Sequence, residues 1–291
     1  MTGSCMEPTF VKAYAKINIG LDIVRKRQDG YHDIDTIMQT ISLADKLVLT
    51  KSPGITVYSS DPAVPDGDTN TAYKAALLFF KRAGIDFSKT GVSISIKKNI
   101  PIQAGLGGGS SNAAAVLKWL NHHYSTNFGS DIMGELALEV GSDVPFFIEG
   151  GTQRALGRGE ILTPLTDFTN VNLVIVMPSE AVSTADAYSR FSKSANVLHT
   201  DMDSIEDALN EKNIIKLGRC MANTFESLVF PFKPAIEKAR RDILKTGAAA
   251  ASMTGSGAAV YGIYKSTEAA QSAFSALGKH YDTYIAKTIG G

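Results

Sequence analysis

The 291-residue sequence has only two cysteines, no surplus of either charge and no long apolar run. Cys5, near the start, and Cys220 exclude a disulfide framework and a CxxC metal clamp. Lys plus Arg and Asp plus Glu number 29 each, and the chain before Gly150 carries 14 basic against 15 acidic residues. Neither half is polarised, which argues against a nucleic-acid stripe or a membrane-surface patch. The richest apolar stretches, 77–80 and 173–177, are far too short to span a bilayer. Residues 1–12 contain no apolar h-region, so no signal peptide and a cytoplasmic address are expected. His32, His122, His123, His199 and His280 show no HExxH or clustered ligand spacing, and no dedicated metal site is expected.

What is present is globular. A 44% hydrophobic fraction with 20% charge suits a folded core, and the length suggests about two domains of roughly 150 residues. From 11 to 23 every odd position is apolar and most even ones are polar or small, which predicts a strand with one buried face. Lys16 and Asn18 then project from the other face. A turn is expected at 28–30, a hairpin of 46–50 with 55–58 around Ser52-Pro53-Gly54, and a helix from Thr71 to a stop at Gly84. A strand at 92–96, a helix at 111–123 and a shorter one at 131–140 follow. Beyond Gly150 come a strand near Thr152, a turn at 157–159 and a strand at 171–177. Helices are expected at 184–191, 204–210, 214–228 and 234–245, then a strand at 258–264 and a helix at 268–277. Strands and helices mix without strict alternation, so the class is α+β in two parts, divided at 1–160 and 161–291.

The strongest feature is the run from Pro101 through Gly105, Leu106, Gly107, Gly108, Gly109, Ser110, Ser111 and Asn112. Glycines let backbone approach a ligand closely, and the helix that follows offers unpaired N–H groups and its positive dipole end. Together they form a phosphate cradle. No Gly-Lys-Ser/Thr closes the loop, so it is not the Walker pattern. Ser110 and Ser111 could add hydroxyl contacts or reach a magnesium ion.

This loop resembles the phosphate-binding motif of the GHMP kinases. Ala13-Tyr14-Ala15-Lys16-Ile17-Asn18 resembles their N-terminal motif, and Met253-Thr254-Gly255-Ser256-Gly257-Ala258 their C-terminal glycine motif. Asp29-Gly30-Tyr31-His32-Asp33, Gly141-Ser142-Asp143-Val144-Pro145, Gly157-Arg158-Gly159-Glu160 and Asn223-Thr224-Phe225-Glu226 are similar to the branch whose acceptor is a cytidine diphosphate sugar-alcohol of non-mevalonate isoprenoid synthesis. The resemblance runs from about 13 to 264. It departs at Tyr14, where Pro is usual, and at Asp33, Thr224 and Thr254, where Glu, Asp and Ser are commoner.

The resemblance implies an N-terminal domain like domain 2 of ribosomal protein S5, a ferredoxin-like C-terminal domain and a cleft between them. It implies ATP as co-substrate, with Mg2+ carried by the nucleotide and no dedicated metal site. The small-molecule partners would be ATP and the cytidine diphosphate sugar-alcohol, the chain being a monomer or homodimer. Transfer to an alcohol needs a proton acceptor and positive charge near the hydroxyl. The resemblance makes Asp143 the base and Lys16 its partner. By residue type alone, Asp143 suits a turn and Lys16 a solvated strand face equally well. Tyr31 and Tyr188 would sandwich the cytosine, with His32 and Asn18 reading its polar atoms and Thr184, Gly255 and Gly257 contributing to the acceptor site. Asn70 and Lys98 would contact the nucleotide, although Asn70 equally suits a helix cap and Lys98 a solvated strand end. A homoserine- or mevalonate-type kinase, a diphosphomevalonate-type decarboxylase and a non-catalytic nucleotide-binding module are the alternatives. Asp29-Gly30-Tyr31-His32 counts against the first, whose acceptors carry no base.

Overall fold

The computed structural model describes residues 7–192 and 198–291; Cys5 lies outside them. The chain divides into two compact units, each gathered from separate pieces. The first takes the chain up to Ala15, Ala44–Ile100 and Gly107–Glu149; the second takes Lys16–Leu43, Pro101–Leu106 and Gly150–Gly291. Two long strands, β1 (Thr9–Lys26) and β2 (His32–Ser52), give a part to each. No described helix is long and apolar enough to cross a membrane.

In the first unit the alternation Val92, Ile94, Ile96 becomes β4 (Gly91–Lys97), with those three side chains buried. It pairs antiparallel with β2, from Lys46↔Lys97 to Ser52↔Gly91, and parallel with β3 (Ile55–Ser59). The expected hairpin of 46–50 with 55–58 therefore does not form, because β4 lies between its two arms. Gly91 permits the insertion: a Cβ there would stand 1.9 Å from the Gly54 carbonyl oxygen, which accepts the Val92 N–H at 2.9 Å.

Helix α1 (Thr71–Ala83) is capped by Asn70 and stopped by Gly84, whose φ of 65° is left-handed. Its buried stripe is Ala72, Ala75, Ala76, Phe79 and Phe80. Each fully buried Phe contributes about 1.5–3 kcal/mol. This stripe packs on β3, β4 and α2 (Gly108–His123). The latter begins at Gly108 rather than 111, since Gly107, at φ 69°, already turns the chain into the helix. Helices α3 (Ser130–Val140) and α4 (Phe146–Glu149) complete the layer.

In the second unit β5 (Thr152–Gly157) pairs antiparallel with β2, from Ile34↔Gly157 to Gln39↔Thr152, and with β6 (Ile161–Pro164). A separate antiparallel sheet runs in the order β10 (Asp282–Lys287), β7 (Asn172–Met177), β9 (Val260–Tyr264), β8 (Ala250–Met253). Helices α9 (Pro234–Lys245) and α10 (Thr267–Leu277) pack on it around Val174, Val176, Ile236, Ile243 and Val260. Between β7 and β8 in the sequence lie α5 (Thr184–Phe191), α6 (Met202–Asn210), α7 (Ile214–Cys220) and α8 (Thr224–Val229), ahead of α9.

Two expectations change here. The helix at 214–228 is broken, because Met221 is extended and the Ala222 carbonyl is used by the Leu21 N–H of β1 at 3.1 Å. From Lys16 to Asp22 the second face of β1 is not solvated: Lys16, Asn18 and Asp22 are buried with the apolar residues, while Lys12 on the same face is exposed. At Gly20 the cover is α6, since a Cβ there would meet Ile205 at 2.4 Å.

Candidate active site

The second unit builds its site on β1. With a two-residue repeat, Lys16 and Asn18 share a face, and the Lys16 Nζ donates to Asn18 Oδ1 at 2.7 Å. The two residues are 3% and 4% exposed. Asn18 is itself fixed on several sides. Its Nδ2 donates to Thr36 Oγ1 at 2.9 Å, and that hydroxyl donates to the Gly20 carbonyl at 2.6 Å. Its backbone N–H donates to Thr254 Oγ1 at 3.1 Å, and its carbonyl accepts from the Tyr261 hydroxyl at 2.8 Å. The single proton of Thr254 Oγ1 has Asn18 Oδ1 and the Gly105 carbonyl to choose from, each 3.2 Å away. Burial pushes the Tyr261 hydroxyl well above the ordinary phenol range, so it stays protonated as a donor.

The stretch from Pro101 to Leu106 belongs to this unit. The Leu106 carbonyl accepts the Lys16 N–H at 3.0 Å, and the Ala104 carbonyl accepts the Ala259 N–H at 3.2 Å. Gly105, at φ 73°, has the Thr254 carbonyl oxygen 2.1 Å from where a Cβ would stand. Only glycine lets the two backbones meet. Gly255 also lies against this backbone, a Cβ there standing 3.4 Å from Gly105, and Gly257 sits against Met253 and Val182. Thr184 opens α5, and its hydroxyl is 2.9 Å from Ser256 Oγ.

Of the aromatic residues, His32 stacks on Tyr188, with centroids 4.7 Å apart and planes 24° from parallel. Tyr188 meets Phe225 edge-on at 4.9 Å. Burial, with a smaller push from Lys26, lowers the His32 pKa. Its Nε2 lies 3.2 Å from Ser192 Oγ, with the tautomer setting which one donates. Tyr31 is 51% exposed and carries the Arg158 guanidinium 3.7 Å over its ring. Of the residues expected to bind the cytosine, His32 stacks on Tyr188 and Tyr31 packs with Arg158.

The first unit holds the rest of the glycine run. Gly107 gives α2 no side-chain cap, leaving its first turn as an anion-attracting helix end. Beside it, Lys98 Nζ stands 3.1 Å from where a Gly108 Cβ would be. Lys98 is not a solvated strand end: it forms a buried ion pair with Asp45, whose other oxygen accepts from the Asn99 and Ile100 N–H groups at 2.7 and 2.9 Å. The Gly109 carbonyl accepts from Thr71 Oγ1 at 2.8 Å. Ser111 and Asn112 are buried and Ser110 half-buried. Asn112 Oδ1 has no hydrogen-bond partner among the described residues. Asn70 is a helix cap: its Oδ1 accepts the Ala72 N–H at 2.8 Å and its Nδ2 donates to the Pro65 carbonyl. Asp143, half-buried, sits in the turn before α4, anchored by the buried Val144, Phe146 and Phe147. Among the described residues no group of three or more His, Cys, Asp or Glu could hold a metal ion.

The sequence assigns no site role to Thr36, Asp45, Arg158, Thr254 or Ser256. Arg158, Thr254 and Ser256 lie inside motifs that carry the resemblance, and Thr36 has the hydroxyl to partner Asn18. A lone Asp45 gave no signal.

Residues 70–151 match the family described as GHMP kinases N terminal domain, and residues 205–283 match GHMP kinases C terminal. A 4-diphosphocytidyl-2-C-methyl-D-erythritol kinase of Acetivibrio thermocellus is 40% identical over 286 residues, covering 98% of this chain and 100% of its own. One from Clostridium perfringens is 39% identical over 284 residues, covering 96% and 98%. A crystal structure of 4-(cytidine 5'-diphospho)-2C-methyl-D-erythritol kinase superposes with a TM-score of 0.83 at 32% identity, covering 97% of this chain and all of the other. The homoserine kinase of Cytophaga hutchinsonii shares the fold, with a TM-score of 0.76 at 19% identity.

Proposed function

The chain belongs to the 4-diphosphocytidyl-2-C-methyl-D-erythritol kinases of the GHMP family, and from that premise we propose how its residues carry the reaction. It transfers the γ-phosphoryl group of ATP to the 2-hydroxyl of 4-diphosphocytidyl-2-C-methyl-D-erythritol, a step of non-mevalonate isoprenoid synthesis. Asp143 takes the hydroxyl proton as the new O–P bond forms and the bond to the ADP leaving group breaks. Lys16 offsets the negative charge that develops on the acceptor oxygen, and Asn18 fixes the ammonium. ATP phosphates lie on the glycine run 105–112, with Lys98 aligned by Asp45 toward them. Mg2+ comes with the nucleotide and retains phosphate and water ligands; the Ser110 and Ser111 hydroxyls are the nearby protein oxygens suited to it. The chain works in the cytoplasm.

The observation that carries this reading is the buried Lys16 Nζ on Asn18, in contact through Thr254 with the close-packed Gly105 and Gly255 backbones. A buried ammonium is costly unless oriented acceptors pair with it. Coupled ATP consumption tests the acceptor. Turnover is expected with the cytidine diphosphate sugar-alcohol, and turnover with homoserine or mevalonate alone would displace the proposal.

A further inference from the structure

The Asn223-Thr224-Phe225-Glu226 segment has no part in the chemistry just given, yet its side chains grip the glycine motif. Asn223 is buried and its Nδ2 donates to two carbonyls, of Met253 at 2.7 Å and of Gly255 at 2.9 Å. Those are the residues on either side of Thr254. Glu226 Oε1 accepts the Met253 N–H at 2.7 Å and the Ser252 hydroxyl at 2.9 Å. Its other oxygen is 3.5 Å from Arg240 Nε, which donates to the Ala251 carbonyl at 2.9 Å. The same segment is tied to the strand that bears Lys16, since the Ala222 carbonyl accepts the Leu21 N–H and Leu21 bridges to Asn223.

We propose that Asn223 and Glu226 are positioning residues: they set the Met253–Gly255 backbone so that the Thr254 hydroxyl holds Asn18, and Asn18 holds the Lys16 ammonium. The path is continuous through hydrogen bonds, from Asn223 and Glu226 to the turn, from Thr254 to Asn18, and from Asn18 to Lys16. The turn has little slack on its far side, where the Thr254 carbonyl closes on Gly105 with room for no Cβ. A misplacement of about 1 Å at a site of this kind costs roughly a hundredfold in rate. The proposal rests on the role given to Lys16.

Asn223→Asp is the sharp test. Asp caps a helix as well as Asn does, and the Oδ1 bond to the Phe225 N–H at 3.0 Å survives. The two donated bonds are lost, and a carboxylate faces two carbonyls. We expect kcat to fall by about ten- to a hundredfold with KM for ATP within about twofold. Glu226→Gln keeps an acceptor for Met253 and Ser252 and should retain kcat, whereas Glu226→Ala should lose it. Thr254→Val should lose kcat and Thr254→Ser retain it. If the path is shared, Asn223→Asp combined with Thr254→Val costs little more than either alone. A merely structural role would lower Tm and the active fraction while leaving kcat per active site unchanged. Should Asn223→Asp fail to fold, the Glu226 and Thr254 pairs decide by the same readout. Wild-type kcat in Asn223→Asp, in Glu226→Ala or in Thr254→Val, or fully multiplicative losses in the double variant, would overturn the proposal. Failure of the underlying reading looks different, because the wild-type protein itself would then not phosphorylate the cytidine substrate.

Discussion

Lys16 and Asn18 meet on one face of β1, ammonium nitrogen to carboxamide oxygen at 2.7 Å, with both side chains shielded from water. Both ends of the Asn18 amide and its backbone N–H are engaged. Asn18→Leu therefore removes an acceptor from the ammonium and leaves Thr36 Oγ1 without its incoming bond. Leaving buried polar groups short of partners costs about 1–3 kcal/mol. The expected outcome is a lower urea midpoint together with a fall in kcat, read by denaturation and steady-state kinetics. Lys16→Met should lose turnover by about two or more orders of magnitude while still binding ATP.

Gly105 and Gly30 are both left-handed, at φ 73° and 88°, but their surroundings differ. A Cβ on Gly105 meets the Thr254 carbonyl at 2.1 Å, and one on Gly30 meets nothing within 4 Å. Gly30→Ala should cost only the left-handed strain, about 1 kcal/mol. Gly105→Ala adds a backbone collision, and should lose several-fold more stability and most of the turnover. Equal denaturation midpoints for the two variants would contradict this.

Acid should weaken acceptor binding through His32. Burial lowers its pKa from the ordinary 6.5, so the ring is neutral at pH 7. A group depressed in the folded state contributes stability above its ordinary value and loses it as pH falls through the folded one. Protonation below that lowered value puts a charge on the ring stacked against Tyr188, so KM for the cytidine substrate should rise as pH falls through it, while KM for ATP stays level. His32→Asn should flatten the acceptor profile, as pH-resolved kinetics would reveal.

Glu226 shifts the other way. Burial raises its pKa above the ordinary 4.5, against the smaller pull of Arg240, the Met253 N–H and Ser252. The stability it contributes is present below the ordinary value and lost as pH rises through the folded one. Melting curves of Glu226→Gln and wild type should accordingly separate in favour of Gln as pH rises from the acid side through the raised value. A constant difference across that range would contradict the assignment.

Local patterns were legible wherever one element satisfied itself. The two-residue alternation placed Lys16 and Asn18 together on β1, and Asn70 and Gly84 bounded α1 as their residue types demand. The α+β class followed from the irregular order of elements. Partners distant in sequence were not legible. Nothing in 46–58 reveals that β4 will separate the two strands, because the pairing depends on Gly91 more than thirty residues later. The break between α7 and α8 depends on Leu21. The same limit governs the site: nothing near Lys98 in the sequence points to Asp45 as its ion-pair partner, and nothing near Tyr188 points to the His32 ring stacked on it.

The most direct test of the account is turnover of Asp143→Asn on 4-diphosphocytidyl-2-C-methyl-D-erythritol, with ATP affinity measured on the same preparation. Turnover should fall by about two or more orders of magnitude while the Kd for ATP stays unchanged. Near-wild-type turnover in that variant would contradict it.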